Sequence, residues 1–450
     1  MNEWLDAEQR VERALELSES RRWVEALAEL EAALEINATN ASWLAHRGFL
    51  LDQLGRHGDA IGAYTEALEI EPEDRDLLFA LGLDLAQEMR MTQALATLEK
   101  LVSLHPDFEP AYCQQIIVYA ELGQHDKAET AFYLGRQLKE DCPQCFFHMG
   151  LSLSDRGLHQ RAIGCWERVL EIDPEFEEVS SHMARAYRSI GELDRARESF
   201  LVELRKDPGN VGILCELGEL LLGTGDLEGA AAKFSHAIEL SPDQVDAHLA
   251  LADTLLLSGR AEAAVKVLER ARELDGERAG IDAKLGLAYL SLNRYGEAKG
   301  HLERRLGKAS TDVTALLALG NCLLHLRKPA EAAEQFRRAI ATDGRNAAAY
   351  HGLSTCCLLA GDHALAIKHC QRAMELNPDD PAPMVKAALG YLALGRFRAA
   401  RDLINRGLRM HPEHDVLRRL SKQFWRYRVH YAASRFRSMV GRLLGKSSSP

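Results

Sequence analysis

Residues 211–244 read VGILCELGELLLGTGDLEGAAAKFSHAIELSPDQ. Two stretches with apolar residues at helical spacing flank Gly225, and Pro242 closes the second. With Val211 as position 1, Gly218 falls at position 8, Gly225 at 15, Ala230 at 20, Phe234 at 24 and Pro242 at 32. Glycine takes the backbone through a turn where a left-handed conformation costs other residues more. Proline cannot continue a helix, so it ends the second one. The stretch predicts a helical hairpin: small residues at 8 and 20 let the two helices approach, and the ring at 24 fills the space beside them.

The same register runs along the chain. Ala26, Ala60, Ala94, Ala128, Ala162, Ala196, Ala230, Ala264, Ala298, Ala332, Ala366 and Ala400 are spaced by 34 residues without a slip. With each of these at position 20, the repeats are 7–40, 41–74, 75–108, 109–142, 143–176, 177–210, 211–244, 245–278, 279–312, 313–346, 347–380 and 381–414. Position 8 is Gly48, Gly82, Gly150, Gly218, Gly286 or Gly320, and otherwise mostly Ala. Position 15 is glycine in eight repeats, from Gly55 to Gly395, and position 32 is proline in seven, from Pro72 to Pro412. Position 24 is usually large, as in Tyr64, Phe132, Trp166, Phe200 and Phe336.

This pattern resembles the tetratricopeptide repeat (TPR) family over residues 7–414. The resemblance implies an all-α, right-handed α-solenoid of twelve helix-turn-helix units, with first helices lining a concave groove that holds peptides or partner domains. Departures are local. Ile116 replaces the small residue at position 8 in the fourth repeat; Glu203 and Arg305 stand where position 27 prefers Ala, which predicts looser packing in the sixth and ninth repeats. The first repeat lacks both Gly and Pro; residues 1–6 read as an N-terminal cap, with Asp6 and Gln9 as a capping box.

Hydrophobic residues make up 46% of the 450-residue chain and charged residues 27%, which suits a folded chain rather than a disordered one. The start has neither the basic nor the apolar segment of a secretory signal, and no run is long enough to span a bilayer. Nine scattered cysteines read as reduced thiols in a cytoplasmic protein. Residues 415–450 carry nine Lys/Arg against one Asp; the preceding part carries 46 basic against 66 acidic residues. An acidic body argues against nucleic acid as a partner, because phosphate binding needs a basic track.

In the TPR pattern, positions 2, 5, 9, 12 and 13 of each first helix face the groove. Repeats three to five offer Phe79, Leu83, Ile117, Phe147 and Leu151 there. Repeats eight to twelve offer Leu249, Leu256, Leu257, Leu287, Leu290, Leu317, Leu324, Leu358, Leu359, Leu389 and Leu392. Between them lies a polar belt of His182, Arg185, Arg188, Glu216 and Glu219. An apolar lining of this extent suits an amphipathic helix or an extended apolar segment, with the belt setting register. The competing expectation is that neighbouring first helices bury part of it. The Lys/Asn pattern of carboxylate-clamping TPR domains is missing, as is the Asn ladder of sugar-transferase arms.

Candidate chemistry is sparse. Cys142-Pro143-Gln144-Cys145 is the sole CxxC; zinc would need two further ligands, and a redox role would want a βαβ context. Cys322, Cys356 and Cys357 read as core or groove residues, and His148, His182, His411 and His414 as satisfied or solvated histidines. No phosphate-cradling loop, nucleophile elbow or zinc-protease helix appears. The expectation is therefore no catalytic residue, no cofactor and no metal.

The tail, 415–444, reads as one or two helices. Val416, Leu417, Leu420, Phe424 and Tyr427 form a stripe able to cover the last repeat. Beyond it Arg426, Arg428, Arg435, Arg437 and Arg442 interleave with Tyr431, Phe436, Met439, Val440 and Leu443, a pattern suited to an anionic membrane or an acidic partner. Residues 445–450 are expected to be disordered. The sequence thus predicts a non-catalytic scaffold or adaptor. Alternatives are a peripheral subunit of an envelope or secretion assembly held by the tail, a regulatory subunit of an enzyme complex, and self-association of basic tail with acidic body.

Overall fold

A computed structural model describes the backbone of residues 2–278 and 280–443 and the side chains of 4–278 and 280–433. Every described element is an α-helix. The N-terminal body, Met1–Ile213, holds α1 (Asn2–Glu19), α2 (Trp23–Ile36), α3 (Ala41–Gln53), α4 (His57–Ile70), α5 (Arg75–Gln87), α6 (Met91–Leu104), α7 (Glu109–Glu121), α8 (His125–Leu138), α9 (Pro143–Asp155), α10 (His159–Ile172), α11 (Val179–Ile190) and α12 (Leu193–Lys206). The division from the C-terminal body, Leu214–Pro450, falls within α13 (Val211–Gly223). There follow α14 (Leu227–Leu240), α15 (Val245–Leu257), α16 (Ala261–Leu274), α17 (Ile281–Ser291), α18 (Tyr295–Lys308), α19 (Val313–His325), α20 (Pro329–Thr342), α21 (Ala347–Leu359), α22 (His363–Leu376), α23 (Pro381–Ala393), α24 (Phe397–Met410) and α25 (Asp415–Leu443). In each body consecutive helices pack as antiparallel hairpins, the TPR solenoid arrangement.

The register of the sequence is the register of the packing. All twelve position-20 alanines are 0% exposed. A Cβ on Gly48, Gly82, Gly218, Gly286 or Gly320 would sit 2.5–2.9 Å from the position-24 side chain of its own hairpin (Tyr64, Leu98, Phe234, Leu302 and Phe336). The missing side chain at position 8 is therefore what lets position 24 seat. The eight glycines at position 15 have φ between 69° and 86°. In the other four repeats Arg21, Met89, Asn293 and Arg327 hold the same left-handed turn at φ 56–60°. The turn belongs to the hairpin geometry, and glycine only makes it cheaper.

Second helices begin at position 17 and end at position 30 in every repeat, with or without proline at 32. Position 34 then caps the next first helix. Asn40, Asp74, Asn210, Asp312, Asn346 and Asp380 accept from backbone N–H groups two or three residues on. Neighbouring hairpins are further tied by a tyrosine at position 11 donating to a glutamate at position 25 of the preceding repeat: Tyr119 to Glu99 at 2.8 Å and Tyr289 to Glu269 at 2.9 Å.

Several local expectations need correction. Asp6 does not cap a helix: α1 already begins at Asn2, so the Asp6 carboxylate accepts from Arg10 one turn on, at 3.2 Å. Ile116 is fully buried, and Phe132 stacks edge-on against Phe146 of the next first helix, 5.2 Å away. Arg305 is accommodated by an ion pair with Asp312 at 2.7 Å. Glu203 is buried, its Oε2 lacks a hydrogen-bond partner, and burial raises its pKa.

The tail forms one helix, α25, as far as Leu443. Leu417 and Leu420 are buried against the last repeat, with Phe424 packed beside them. Tyr431, rather than Tyr427, completes the stripe: its ring lies 5.5 Å from that of Phe397 and against Gly395. Val416 and Tyr427 are exposed instead. The reason is helical phase, since 417, 420, 424 and 431 share one face at spacings of three, four and seven. Residues 445–450 lie outside the described residues.

Candidate partner-binding faces

In α5 and α9 positions 3, 4, 7, 8, 10 and 11 are buried by the hairpins. That leaves positions 5 and 9 on a face that the hairpin core does not use. Phe79, Leu83, Ile117, Phe147 and Leu151 are all half-buried there. Part of their cover comes from the last residue of the same repeat, at position 34, and part from the next repeat. Phe79 meets Phe108 edge-on at 5.2 Å, and Arg75 lies over the Phe108 ring. Phe147 packs on Phe176 at 5.2 Å and on His182 at 5.4 Å; His182 also lies 5.6 Å from Trp166, whose Nε1 donates to the Phe147 carbonyl. His182 and Arg185 are half-buried and Arg188 is exposed, and each has partners within the protein.

In the C-terminal body Leu249, Leu256, Leu287, Leu290, Leu317, Leu324, Leu358 and Leu389 are half-buried. Leu257 and Leu359, both at position 13, are 67% and 63% exposed. Leu392 departs from the expectation: it is buried in the cluster formed with Ala400, Ile404 and Leu420, because α25 covers the last repeat. Cys322, Cys356 and Cys357 are buried, with Cys322 donating to the Tyr295 carbonyl at 3.0 Å. His414 Nδ1 accepts from the Leu417 N–H at the start of α25.

On the tail Arg428 lies over the Phe397 ring, 5.8 Å from its centre, so this arginine is partly engaged within the protein. Arg426 lies over Trp425, which is 61% exposed. The side chains of Arg435, Phe436, Arg437 and Arg442 lie outside the described residues. Among the described residues no helix is long and apolar enough to cross a membrane.

Two polar clusters escaped the sequence reading. His57 Nδ1 lies 2.9 Å from Asp52 and 3.0 Å from Asp84, joining α3, α4 and α5. Burial pushes the Asp84 carboxyl up to about 6, against the opposing effect of the His57 hydrogen bond, and that same bond raises the His57 pKa. The signal was Asp84 itself, a carboxylate at position 10, where Leu50 and Leu220 occupy other repeats. In the second cluster Glu109 and Cys113 meet Cys142 and Cys145, with one ligand-type atom of each within 4.8 Å of every other.

Family models described as tetratricopeptide repeat match residues 11–75, 47–107, 147–211, 283–344 and 326–381, and 221–288 and 357–423. The chain belongs to the tetratricopeptide-repeat family. Over 173 residues this TPR chain is 25% identical to human protein O-mannosyl-transferase TMTC1, a stretch covering 38% of this chain and 19% of that protein. The chain thus spans about a fifth of that relative's length. Among solved structures, the APC/C hetero-tetramer Cut9–Hcn1 is similar at 14% identity, with a TM-score of 0.48 and coverage of 91% of this chain and 94% of that one. Yeast Tom70 is similar at 14% identity, with a TM-score of 0.39 and coverage of 89% and 98%. As a TPR repeat scaffold, the chain has the fold of proteins that bind other proteins.

Proposed function

We propose that this chain is a non-catalytic, cytoplasmic adaptor that holds an amphipathic helix or extended apolar segment of a protein partner on the faces of its first helices. One observation carries the reading. After the hairpins have buried their own cores, partly open apolar side chains remain at positions 5 and 9 in the N-terminal body and at positions 5, 9, 12 and 13 in the C-terminal body, with Leu257 and Leu359 more than half exposed. Apolar surface clustered on one helix face favours a covering partner. The faces differ in chemistry: aromatic rings dominate around Phe147, whereas the C-terminal body offers leucines, which take a helix by ordinary side-chain interdigitation.

The test uses the purified full chain and a displayed library of helical and extended peptides. Selected peptides bind the wild type, and Leu83→Glu with Leu151→Glu, or Leu257→Glu with Leu359→Glu, weakens them about a hundredfold, since each leucine forfeits about 1.5 kcal/mol or more of burial. Peptides that bind all variants equally would refute the assignment.

The tail supports a second reading, contact with an anionic membrane or an acidic partner. Trp425, Arg426 and Val429 share an exposed stretch of α25. Deleting residues 434–450 together with Trp425→Ser and Arg426→Glu leaves Leu420, Phe424 and Tyr431 over the last repeat, and it abolishes flotation with anionic vesicles if this reading holds. A monomeric mass at low salt would refute the tail-to-body self-association.

A further inference from the structure

We propose that Glu109, Cys113, Cys142 and Cys145 form a structural zinc site that staples α7 to α9. One ligand atom from each lies within 4.8 Å of every other, and Cys145 Sγ is 3.1 Å from Glu109 Oε1. A tetrahedral site with Zn–S of about 2.3 Å and Zn–O of about 2.1 Å needs its ligands about 3.5–3.8 Å apart. Small side-chain shifts, apart for Cys145 and Glu109 and together for the widest pairs, therefore close the set. Three thiolates and one carboxylate select a borderline-soft cation over calcium or magnesium, which take oxygen ligands. All four positions are filled by protein, which marks a structural rather than a catalytic site.

The repeat supplies an internal standard for how unusual this place is. Position 34 is an Asn or Asp cap in six other repeats. In the fourth repeat Cys142 fills it, and its sulfur accepts from the Cys145 N–H at 3.4 Å. A neutral thiol is a poor cap, whereas a metal-bound thiolate accepts such a bond well. Position 3, apolar in its counterparts Trp43, Leu77, Val179 and Ile213, is Cys145 in the fifth repeat, fully buried. Position 27, commonly Ala, is Gly135; a Cβ there would sit 3.3 Å from Tyr112 Cβ and 3.7 Å from Cys145 Sγ. Three departures from the repeat thus converge on one point. The α9 N-terminus, where Cys142 and Cys145 lie, offsets part of the net charge of the loaded site.

Loading is balanced as Zn²⁺ displacing three thiol protons to solvent, with Glu109 ionised and no change of oxidation state. The bound ion would fix the distance between α7 and α9, and with it the spacing of Ile117 and Phe147 on their shared face.

The experiment measures metal content of the full chain purified under reducing, chelator-free conditions, then titrates the chelator-treated protein with Co²⁺. The expected result is one zinc per chain, and a cobalt spectrum with thiolate charge-transfer bands and tetrahedral ligand-field bands. Cys113→Ser with Cys145→Ser abolishes both; Glu109→Gln keeps the charge-transfer bands and lowers affinity at least about tenfold. Cys356→Ser with Cys357→Ser changes neither. The cobalt titration of the unmutated chain reads the site even if a variant misfolds. A metal-free chain with no cobalt charge transfer, a Cys142–Cys145 disulfide in place of metal, or zinc retained by Cys113→Ser with Cys145→Ser would overturn the proposal.

Discussion

Replacing Ala230 by arginine should open the array at one hairpin. Ala230 is fully buried where α13 and α14 cross, beside Phe234 and a Gly218 whose Cβ would already clash at 2.7 Å. Overpacking costs about 1–3 kcal/mol, and a buried charge without a partner adds several more. In a nearest-neighbour array a loss of about 5 kcal/mol falls on one repeat and its two interfaces rather than on the whole chain. The seventh hairpin should therefore unfold locally while distant hairpins persist. Ala232→Arg, two residues along the same helix and exposed, is the control and should change stability by less than about 0.5 kcal/mol. Hydrogen exchange with mass spectrometry reads both. Ala230→Arg should lose protection over α13, α14 and the adjoining helices and keep it in α3–α8 and α21–α24. Equal behaviour of the two variants, or an unchanged melt for Ala230→Arg, would refute the 34-residue packing register.

Arg327→Gly should stabilise the chain by about 0.5–1 kcal/mol in urea titration, because relief of the left-handed strain outweighs the added entropy of the unfolded state. Gly157→Ala, at the same turn position with φ 74°, should cost about 1 kcal/mol. Glu203→Ala should stabilise by about 1 kcal/mol at pH 7. Burial raises the Glu203 pKa, with Glu178 and Asp207 adding to the rise and Lys206 and Arg185 opposing it. The folded state therefore disfavours the ionised carboxyl, and the gain should vanish as pH falls to about 4, below the unfolded value. A gain that is the same at both pH values would contradict this cause.

The hairpins were legible in the sequence because one constraint repeats: Ala at 20, Gly at 8 and a large side chain at 24 are three views of a single helix crossing. Arg21, Met89, Asn293 and Arg327 were not legible as turn residues, since their side chains carry no preference for the left-handed region that the closed hairpin imposes on them. The tail stripe was read with Tyr427 where Tyr431 packs, because apolar content alone does not set helical phase against a neighbour. The cover of Phe147 by His182 depends on how successive repeats meet, which a single-repeat pattern omits. The thiol cluster was missed for the same reason. Cys113 and Cys142 are 29 residues apart, but positions 1 and 5 of one repeat lie beside position 34 and position 3 of the next. Mapping the cysteines onto that interface would have found it.

The adaptor reading is tested most directly by affinity capture from native cells with four forms of the full-length protein: wild type, Leu83→Glu with Leu151→Glu, Leu257→Glu with Leu359→Glu, and a form lacking residues 434–450. All four should melt alike, since the substituted leucines lie outside the hairpin cores. The account predicts a partner recovered by the wild type and by the shortened form and lost with at least one of the leucine pairs. Recovery unchanged by both pairs, or abolished only by removal of residues 434–450, would contradict it.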